Sequence, residues 1–481
     1  MTTSAIVAAV RHAAILHPEK LAIVGADTRI TYARLEKRAA AAAQCIAAQV
    51  KSNRVGLLCP NSLQFVEIFL GALWAGKTVS VLPTLAPAPL LKLMSVESRL
   101  EAVIAPPELR PRLEEVGVPV LACETGEADP AQVKTAERGE EAAVILYTSG
   151  TTGRPKSVLL SEQNILSNAE GCRIATGFND QQVMLAILPL FHAYGLTVTI
   201  LLPLVTGATV VIPDRFIPRS VLQLIEKEMV SCLVAVPSQY RVLAKEPADF
   251  DASSLWLCIA GAERLPEHVA QDFQQRFGHP VVQGYGATEI SPVVSLNLPE
   301  TNRFGSVGKP LPGLRVTIRD DNGALLPATQ VGEVCVEGPG VMLGYNDPQA
   351  TARKIRNGVL HTGDKGFFDA DGYLHLVGRA DDLVKVSGEK VYPAEIETAL
   401  EEVPGVDEAA VIAIPDEKHG ARLHAFVQLK PGTAMNDAEL RTAVRGSLEP
   451  YKIPRSFAII EALPRTPTGK TDKKALAASS M

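Results

Sequence analysis

The sequence predicts an α/β protein: a large N-terminal domain of mixed, largely parallel sheets flanked by helices, with a β subdomain, then a small α+β C-terminal domain. Three observations predict it. Short apolar β-like runs alternate with helical patterns to about residue 260, the rhythm of strand–helix–strand units. From Arg315 to about Tyr373 that rhythm gives way to short β runs separated by Asp-Asn-Gly and Asp-Gly turns, an antiparallel texture. The last hundred or so residues read as helix, two strands, helix and strand. A chain of 481 residues, 47% hydrophobic, has material for two or three domains with large cores.

In chain order, Thr31 is the predicted N-cap of a helix through the Ala-rich stretch Tyr32 to Gln49. Val55 to Cys59 and Val79 to Leu82 read as buried strands, with a helix over Leu63 to Ala75 between them. Gly126 to Glu141 is a polar, acidic loop that feeds an apolar run, Ala142 to Leu146. Val183 to Pro213 contains no Asp, Glu, Lys or Arg. Pro189, His192, Gly195, Pro203 and Gly207 interrupt it, so it reads as buried strand and helix pieces, with no transmembrane span. Arg315–Ile318 and Glu333–Glu337 are strands of the β subdomain, which ends near Gly378 to Asp382. Pro393 starts a helix over Ala394–Glu402. Ala409–Ile414 and Leu423–Leu429 are strands, Asn436 caps another helix, and Phe457–Ile460 is a last strand.

The net charge of −6 argues against a nucleic-acid partner, which would call for a basic face. Seven scattered cysteines, with no CxxC pair, point away from a disulfide framework or zinc site and suit a reducing cytoplasm.

Residues 147–156 read Tyr-Thr-Ser-Gly-Thr-Thr-Gly-Arg-Pro-Lys. Gly150 and Gly153 let backbone N–H groups approach an anion. The hydroxyls of Thr148, Ser149, Thr151 and Thr152 add donors, and Arg154 and Lys156 add positive charge. This is the composition of a phosphate-binding loop, although a polar surface hairpin has similar residues. Other motifs fail. Gly469-Lys470-Thr471 resembles the end of a Walker A loop, but Pro464 stands where its first glycine is needed. Gly284-Tyr-Gly-Ala-Thr-Glu lacks the third glycine of a dinucleotide fingerprint. No hydrolase nucleophile elbow or HExxH occurs.

The loop is the first of an ordered series: Leu188-Pro-Leu-Phe-His192-Ala-Tyr-Gly, Ala260-Gly-Ala-Glu263, Gly284-Tyr-Gly-Ala-Thr-Glu289, His361-Thr-Gly-Asp364, Gly378-Arg379-Ala-Asp381 and Pro464-Arg-Thr-Pro-Thr-Gly-Lys470. In these motifs and their order, which span nearly the whole chain, the sequence resembles the adenylate-forming superfamily of acyl-CoA synthetases, peptide-synthetase adenylation domains and firefly luciferase. The resemblance implies ATP, Mg²⁺ and CoA, or the phosphopantetheine of an acyl carrier protein, as cofactors and partners. It assigns Thr148–Lys156 to the pyrophosphate portion of ATP and Thr288 to the α-phosphate. Glu289 is the expected Mg²⁺ ligand, and Gly261, Ala262, Glu263, Gly284, Tyr285 and Gly286 lie along the nucleotide, with Tyr285 and residues 261–263 at the adenine. Asp364 and Arg379 are expected at the ribose. Lys470, Thr288, Glu289 and His192 form the implied catalytic set. The resemblance also implies domains at 1–379 and 380–481, the second mobile about a hinge at Asp381, with Lys385-Val-Ser-Gly388 lining a pantetheine tunnel. Lys365 departs from the apolar residue usual after Thr-Gly-Asp.

The expected acid is a medium- or long-chain fatty acid. Phe191-His192-Ala193-Tyr194 lacks the aspartate that pairs an amino-acid ammonium in adenylation domains, so an α-amino acid is disfavoured. Val234-Ala-Val-Pro, Ile259-Ala-Gly-Ala and Pro292-Val-Val-Ser-Leu-Asn offer small, apolar walls. An aryl-acid CoA ligase, and an acyl-AMP ligase serving only a carrier protein, are the alternatives.

Overall fold

The computed structural model describes residues 4–123, 126–133, 142–148, 155–386, 389–416, 420–465 and 471–479. Two large sheets organise the N-terminal part, and both are mixed and largely parallel. One has seven strands, in the order Gly344–Tyr345, Lys156–Leu160, Val144–Thr148, Thr78–Val81, Arg54–Leu57, Val103–Ile104 and Val120–Leu121. Its last five strands run parallel and its first two joints are antiparallel. The other has nine strands, from Lys309–Pro310 through Val293–Leu296, Val281–Gly286, Leu257–Ala260, Cys232–Ala235, Val183–Leu185, Thr209–Val211 and Leu21–Val24 to Arg29–Thr31. Strands buried on both faces need apolar side chains throughout, which is why Cys232–Ala235 and Leu257–Ala260 have no polar alternation.

Helices fill the space around the sheets. Thr31 caps the helix Tyr32–Gln49 through its side chain, which accepts from the Arg34 N–H. That helix presses on Leu63–Trp74 so closely that a Cβ on Gly71 would lie 2.5 Å from Ala42 Cβ, which is what the alanine run is for. The charge-free segment forms the strand Val183–Leu185, a π-helix Tyr194–Leu201, the helix Leu202–Thr206 and the strand Thr209–Val211. Gly195 is obligatory there, since a Cβ would lie 2.3 Å from the Pro189 carbonyl oxygen. Among the described residues, no helix is long and apolar enough to cross a membrane.

The β subdomain is a five-stranded antiparallel sheet of Arg315–Arg319, Gly332–Glu337, Val359–Phe368, Ile355–Arg356 and Leu374–Arg379. After the hairpin Val384–Val386 and Glu389–Val391 comes a unit with cores of its own. Its sheet of Val406–Asp416, Gly420–Leu429 and Ser456–Ile460 is covered on one face by the helices Pro393–Glu401 and Asp437–Val444. Leu476 of the helix Lys473–Ala478 packs with Ile412, Phe426 and Leu463. Asn436 forms a capping box with Glu439.

This unit meets the N-terminal part through charge. Arg241, on the helix Pro237–Lys245, donates from Nη1 to Glu408 Oε2 (2.6 Å) and has Nε 3.6 Å from Asp407 Oδ1. Lys245 and His268 lie 3.6 and 3.5 Å from Asp407. Arg264 reaches Glu401 at 3.0 Å, and within the C-terminal unit Arg465 shares Glu408 with Arg241, at 2.5 Å. Arg241, Asp407 and Glu408 are each less than a tenth exposed. Burial alone would push the Asp407 carboxyl up. The nearby His268 and the cations Arg241 and Lys245 outweigh it and hold the group at about 2.

Candidate active site

Strands of three sheets carry or adjoin several of the residues singled out by the sequence. Thr148 ends one strand and pairs across the ladder with Lys156, which begins the next. Ser149, Gly150, Thr151, Thr152 and Gly153 lie outside the described residues. The Lys156 ammonium sits 5.4 Å over the ring of Tyr345, a cation–π distance. The Tyr345 hydroxyl donates to Glu289 Oε1 at 2.7 Å. One ring thus links the end of the glycine-rich loop to Glu289. Among the described residues, Tyr345 is the side chain seen to donate to Glu289, and a carboxylate with an oxygen to spare fits a hard cation such as Mg²⁺.

Glu289 and Thr288 lie in a 3₁₀ turn, Thr288–Ile290, that follows the strand Val281–Gly286. Asn168 fixes its exit. Its Nδ2 donates to the carbonyls of Ile290 (2.9 Å) and Val293 (2.7 Å), and its Oδ1 accepts from the Val293 N–H (3.1 Å). Met342 N–H donates to the Glu289 carbonyl at 2.8 Å. A Cβ on Gly286 would lie 2.4 Å from the Pro292 oxygen, so the turn folds back only over glycine.

Tyr285, one strand position before Gly286, donates its hydroxyl to Asp364 Oδ2. Asp364 and Arg379 are directly opposed in the antiparallel ladder, with Arg379 Nε 3.7 Å from Asp364 Oδ1. Burial raises the Asp364 carboxyl, while the Tyr285 hydrogen bond and the charges of Arg379 and Lys354 oppose the rise. Burial and the Asp364 carboxylate raise the Tyr285 phenol well above its ordinary range, so it remains a donor.

Gly261, Ala262 and Glu263 follow the strand Leu257–Ala260, beside the strand that carries Gly284 and Tyr285. A Cβ on Gly261 would lie 2.5 Å from the ring of Tyr194. Ala262 is held at φ +70°, a left-handed conformation rare for a residue with a side chain. Gln283 Nε2 donates to the Glu263 carbonyl at 3.3 Å. Gly284 backs onto Leu296 and Ser295, with its Cβ position 3.2 Å from Leu296 Cδ1. His192 lies two residues before Tyr194, its ring centroid 4.5 Å from that of Phe191.

Asp381 is exposed in the turn Ala380–Asp382, between the β subdomain and the C-terminal unit. Gly388 and Lys470 lie outside the described residues. The residues on either side of the Lys470 segment, Arg465 and Thr471, share a cavity of about 250 Å³ with Glu263 and Arg264. The cavity brings the edge of the C-terminal unit to the segment that follows Leu257–Ala260.

Tyr345, Lys354 and Asn168 belong to this site and escaped the sequence. Tyr345 reads as one more core aromatic, and Lys354 as a solvated cation ending the helix Pro348–Lys354. Asn168 reads as a polar residue on an amphipathic helix. None carries a signal in its immediate neighbours.

The family model described as AMP-binding enzyme matches residues 10–346, and the model described as AMP-binding enzyme C-terminal domain matches residues 395–470. A long-chain-fatty-acid–CoA ligase of Bacillus subtilis is 37% identical over 343 residues, which is 69% of this chain and 61% of that one. The chain therefore spans less than two thirds of that relative's length. A feruloyl-CoA synthase of an Amycolatopsis species is 33% identical over 466 residues, 95% of both chains. Among solved structures, ATP-bound MatB from Rhodopseudomonas palustris matches with a TM-score of 0.92 at 29% identity, over 99% of both chains. The chain belongs to the AMP-binding enzyme family, within the adenylate-forming superfamily of acyl-CoA synthetases.

Proposed function

We propose that this chain converts a carboxylic acid to acyl-AMP with release of pyrophosphate, and then to a thioester of CoA or of a carrier-protein phosphopantetheine. The observation that carries the reading is one connected line of side chains. Asp364 is bonded to Tyr285, Tyr285 is four residues from Glu289, and Glu289 is joined through Tyr345 to Lys156. A diol acceptor, a metal-binding carboxylate and a phosphate-loop cation are thereby held in fixed relation, as a bound nucleoside triphosphate requires.

In the first step a carboxylate oxygen attacks the α-phosphorus, and the bond to pyrophosphate breaks. Negative charge grows on the leaving group and around the α-phosphate. Donors from residues 148–156 and Thr288, with Lys470, offset that charge. Mg²⁺, held by Glu289, supplies Lewis-acid neutralisation of the phosphate oxygens when bound. Asp364 accepts from the ribose hydroxyls, with Arg379 beside it. In the second step a thiolate attacks the acyl carbon, and the carbon–oxygen bond to AMP breaks. Residues 380–481 act as a lid that turns at Asp381 between the steps. Gly388 then borders the pantetheine arm, and His192 lies at the acyl side of the site. The setting is a reducing cytoplasm.

The acid proposed is a medium- or long-chain fatty acid. Val234, Val236, Ile259, Val293 and Leu296 belong to one buried apolar cluster. Residues 234–237, 259–262 and 292–297 contain no cation, so a second anionic group on the acid would have no partner there. The 37% identity to a long-chain-fatty-acid–CoA ligase supports this reading. An aryl acid is the second reading, favoured by the Tyr194 ring against Gly261 and by the feruloyl-CoA synthase likeness. The test is a panel of fatty, aryl and dicarboxylic acids with ATP and Mg²⁺, run with CoA, with holo-carrier protein or with neither. AMP release and thioester mass are recorded. Fatty acids are expected to give the highest kcat/KM. A preference for aryl or dicarboxylic acids overturns the substrate class, and no AMP with any acid overturns the reaction.

A further inference from the structure

The turn that presents Asp364 is gripped by two charged side chains outside the motif. Gly363 has φ +78°, inside the strand Val359–Phe368. The Lys354 ammonium donates to the Thr362 carbonyl at 2.6 Å, and Glu333 Oε1 accepts from the Gly363 N–H at 3.1 Å. The Thr362 carbonyl and the Gly363 N–H belong to the same peptide group. A cation therefore sits at its negative end and an anion at its positive end. A peptide unit has a dipole of about 3.5 D, and reversing it would set both charges against it. Glycine offers little steric resistance to such a flip, because positive and negative φ are about equally open to it. The two charges supply the resistance that residue 363 does not.

The supports are themselves anchored. Glu333 Oε2 lies 2.9 Å from His361 Nδ1, so both carboxylate oxygens are engaged. Cys335, Glu333 and His361 bring ligand atoms within 4.8 Å of one another, but the carboxylate is committed to the turn and not left open for an ion. Thr362 Oγ1 donates to the Val334 carbonyl at 2.7 Å and accepts from the Asp364 N–H at 3.0 Å. Lys354 is drawn in over the turn: a Cβ on Gly363 would lie 3.3 Å from its Nζ and 4.0 Å from Arg379 Nη2. Burial lowers the Lys354 ammonium, and the carboxylates of Glu289, Asp364 and Glu333 oppose that loss while Arg379 adds to it.

We propose that Lys354 and Glu333 are positioning residues that lock the Thr362–Gly363 peptide and so aim the Asp364 carboxylate at the ribose hydroxyls. The proposal rests on the nucleotide-site reading above. The test measures KM and kcat with ATP, 2′-deoxy-ATP and 3′-deoxy-ATP, for the wild type and for Lys354→Met, Lys354→Arg and Glu333→Gln. In the wild type, removing a hydroxyl held by Asp364 is expected to lower kcat/KM by about 10-fold or more, because a buried acceptor loses its partner. In Lys354→Met, KM for ATP is expected to rise about 10-fold, with a smaller fall in kcat. The penalty for the missing hydroxyl should shrink to about 3-fold, since the two losses are coupled. Lys354→Arg restores most of the selectivity, and Glu333→Gln, which keeps an acceptor without the charge, loses part of it. If Lys354→Met and Glu333→Gln weaken ATP and both deoxy analogues by the same factor, the clamp is wrong and the nucleotide site stands. If the wild type ignores both hydroxyls, the assignment of Asp364 to the ribose falls first. Should Lys354→Met fail to fold, the Glu333→Gln selectivity ratio decides alone.

Discussion

Replacing Arg241 by methionine tests whether the contact between the C-terminal unit and the helix Pro237–Lys245 sets up the first half-reaction. The guanidinium reaches Glu408 at 2.6 Å and Asp407 at 3.6 Å, and all three residues are nearly buried. Removing one partner of a buried pair typically costs about 3–5 kcal/mol, because the remaining charge is left without compensation. Here the loss is smaller, since Lys245 and His268 still face Asp407 and Arg465 still holds Glu408. About 2 kcal/mol is a fair expectation, equal to about 30-fold in the docking equilibrium at 1.4 kcal/mol per tenfold. The contact involves Arg465, five residues before Lys470, so its loss should fall on adenylation. Acid-dependent pyrophosphate exchange is expected to drop about 10- to 30-fold, while thioester formation from synthetic acyl-AMP stays within about 3-fold. Equal losses in both half-reactions would show a general structural defect. Unchanged exchange would show that the ion cluster does not hold the lid for adenylation.

Two further variants probe the lid and the scaffold. Lys470→Ala is expected to slow adenylation by about 10²-fold or more, the scale of one preorganised electrostatic contact, with much less effect on thioester formation from acyl-AMP. Equal loss in both steps would contradict lid rotation. Gly308→Ala is expected to destabilise the fold by about 3 kcal/mol or more and lower the melting temperature by about 5 °C or more. Its Cβ would lie 1.9 Å from the Leu296 carbonyl carbon at a φ of +84°; a wild-type melting curve would refute that packing.

Local rules made much of this architecture legible. Thr31 and Asn436 announce their helices because a cap satisfies N–H groups that the helix itself cannot, and Pro393 because at the first helical position it has no N–H to leave unpaired. The Asp-Asn-Gly and Asp-Gly turns announce the antiparallel sheet. The charge-free stretch from Val183 divided into strand and helix pieces as expected, but its β-branched Thr197–Ile200 lies in a π-helix. Burial and the Gly195 approach to Pro189 override the strand preference of those residues. At the site, the motifs named residue types whose chemistry suits phosphate and ribose. The sequence could not show that Tyr285 reaches Asp364 across 79 positions, or that Tyr345 joins Lys156 to Glu289. Tyr285 and Asp364 belong to different sheets, while Tyr345 and Lys156 lie on strands paired in one sheet but far apart in sequence. Lys354 and Arg241 were invisible for the same reason: each looks like an ordinary helix-surface cation until the opposing strand is in place.

The central claim, activation through acyl-AMP, is tested most directly by following oxygen. The wild-type enzyme is supplied with a carboxylic acid labelled with ¹⁸O in both carboxyl oxygens, together with ATP, Mg²⁺ and CoA, and the AMP is analysed by mass. Attack of the carboxylate on the α-phosphorus, followed by thiolate attack on carbon, leaves one carboxyl oxygen on the nucleotide. The account predicts a single ¹⁸O in AMP, with stoichiometric thioester and pyrophosphate. Unlabelled AMP, or ADP in its place, would contradict it.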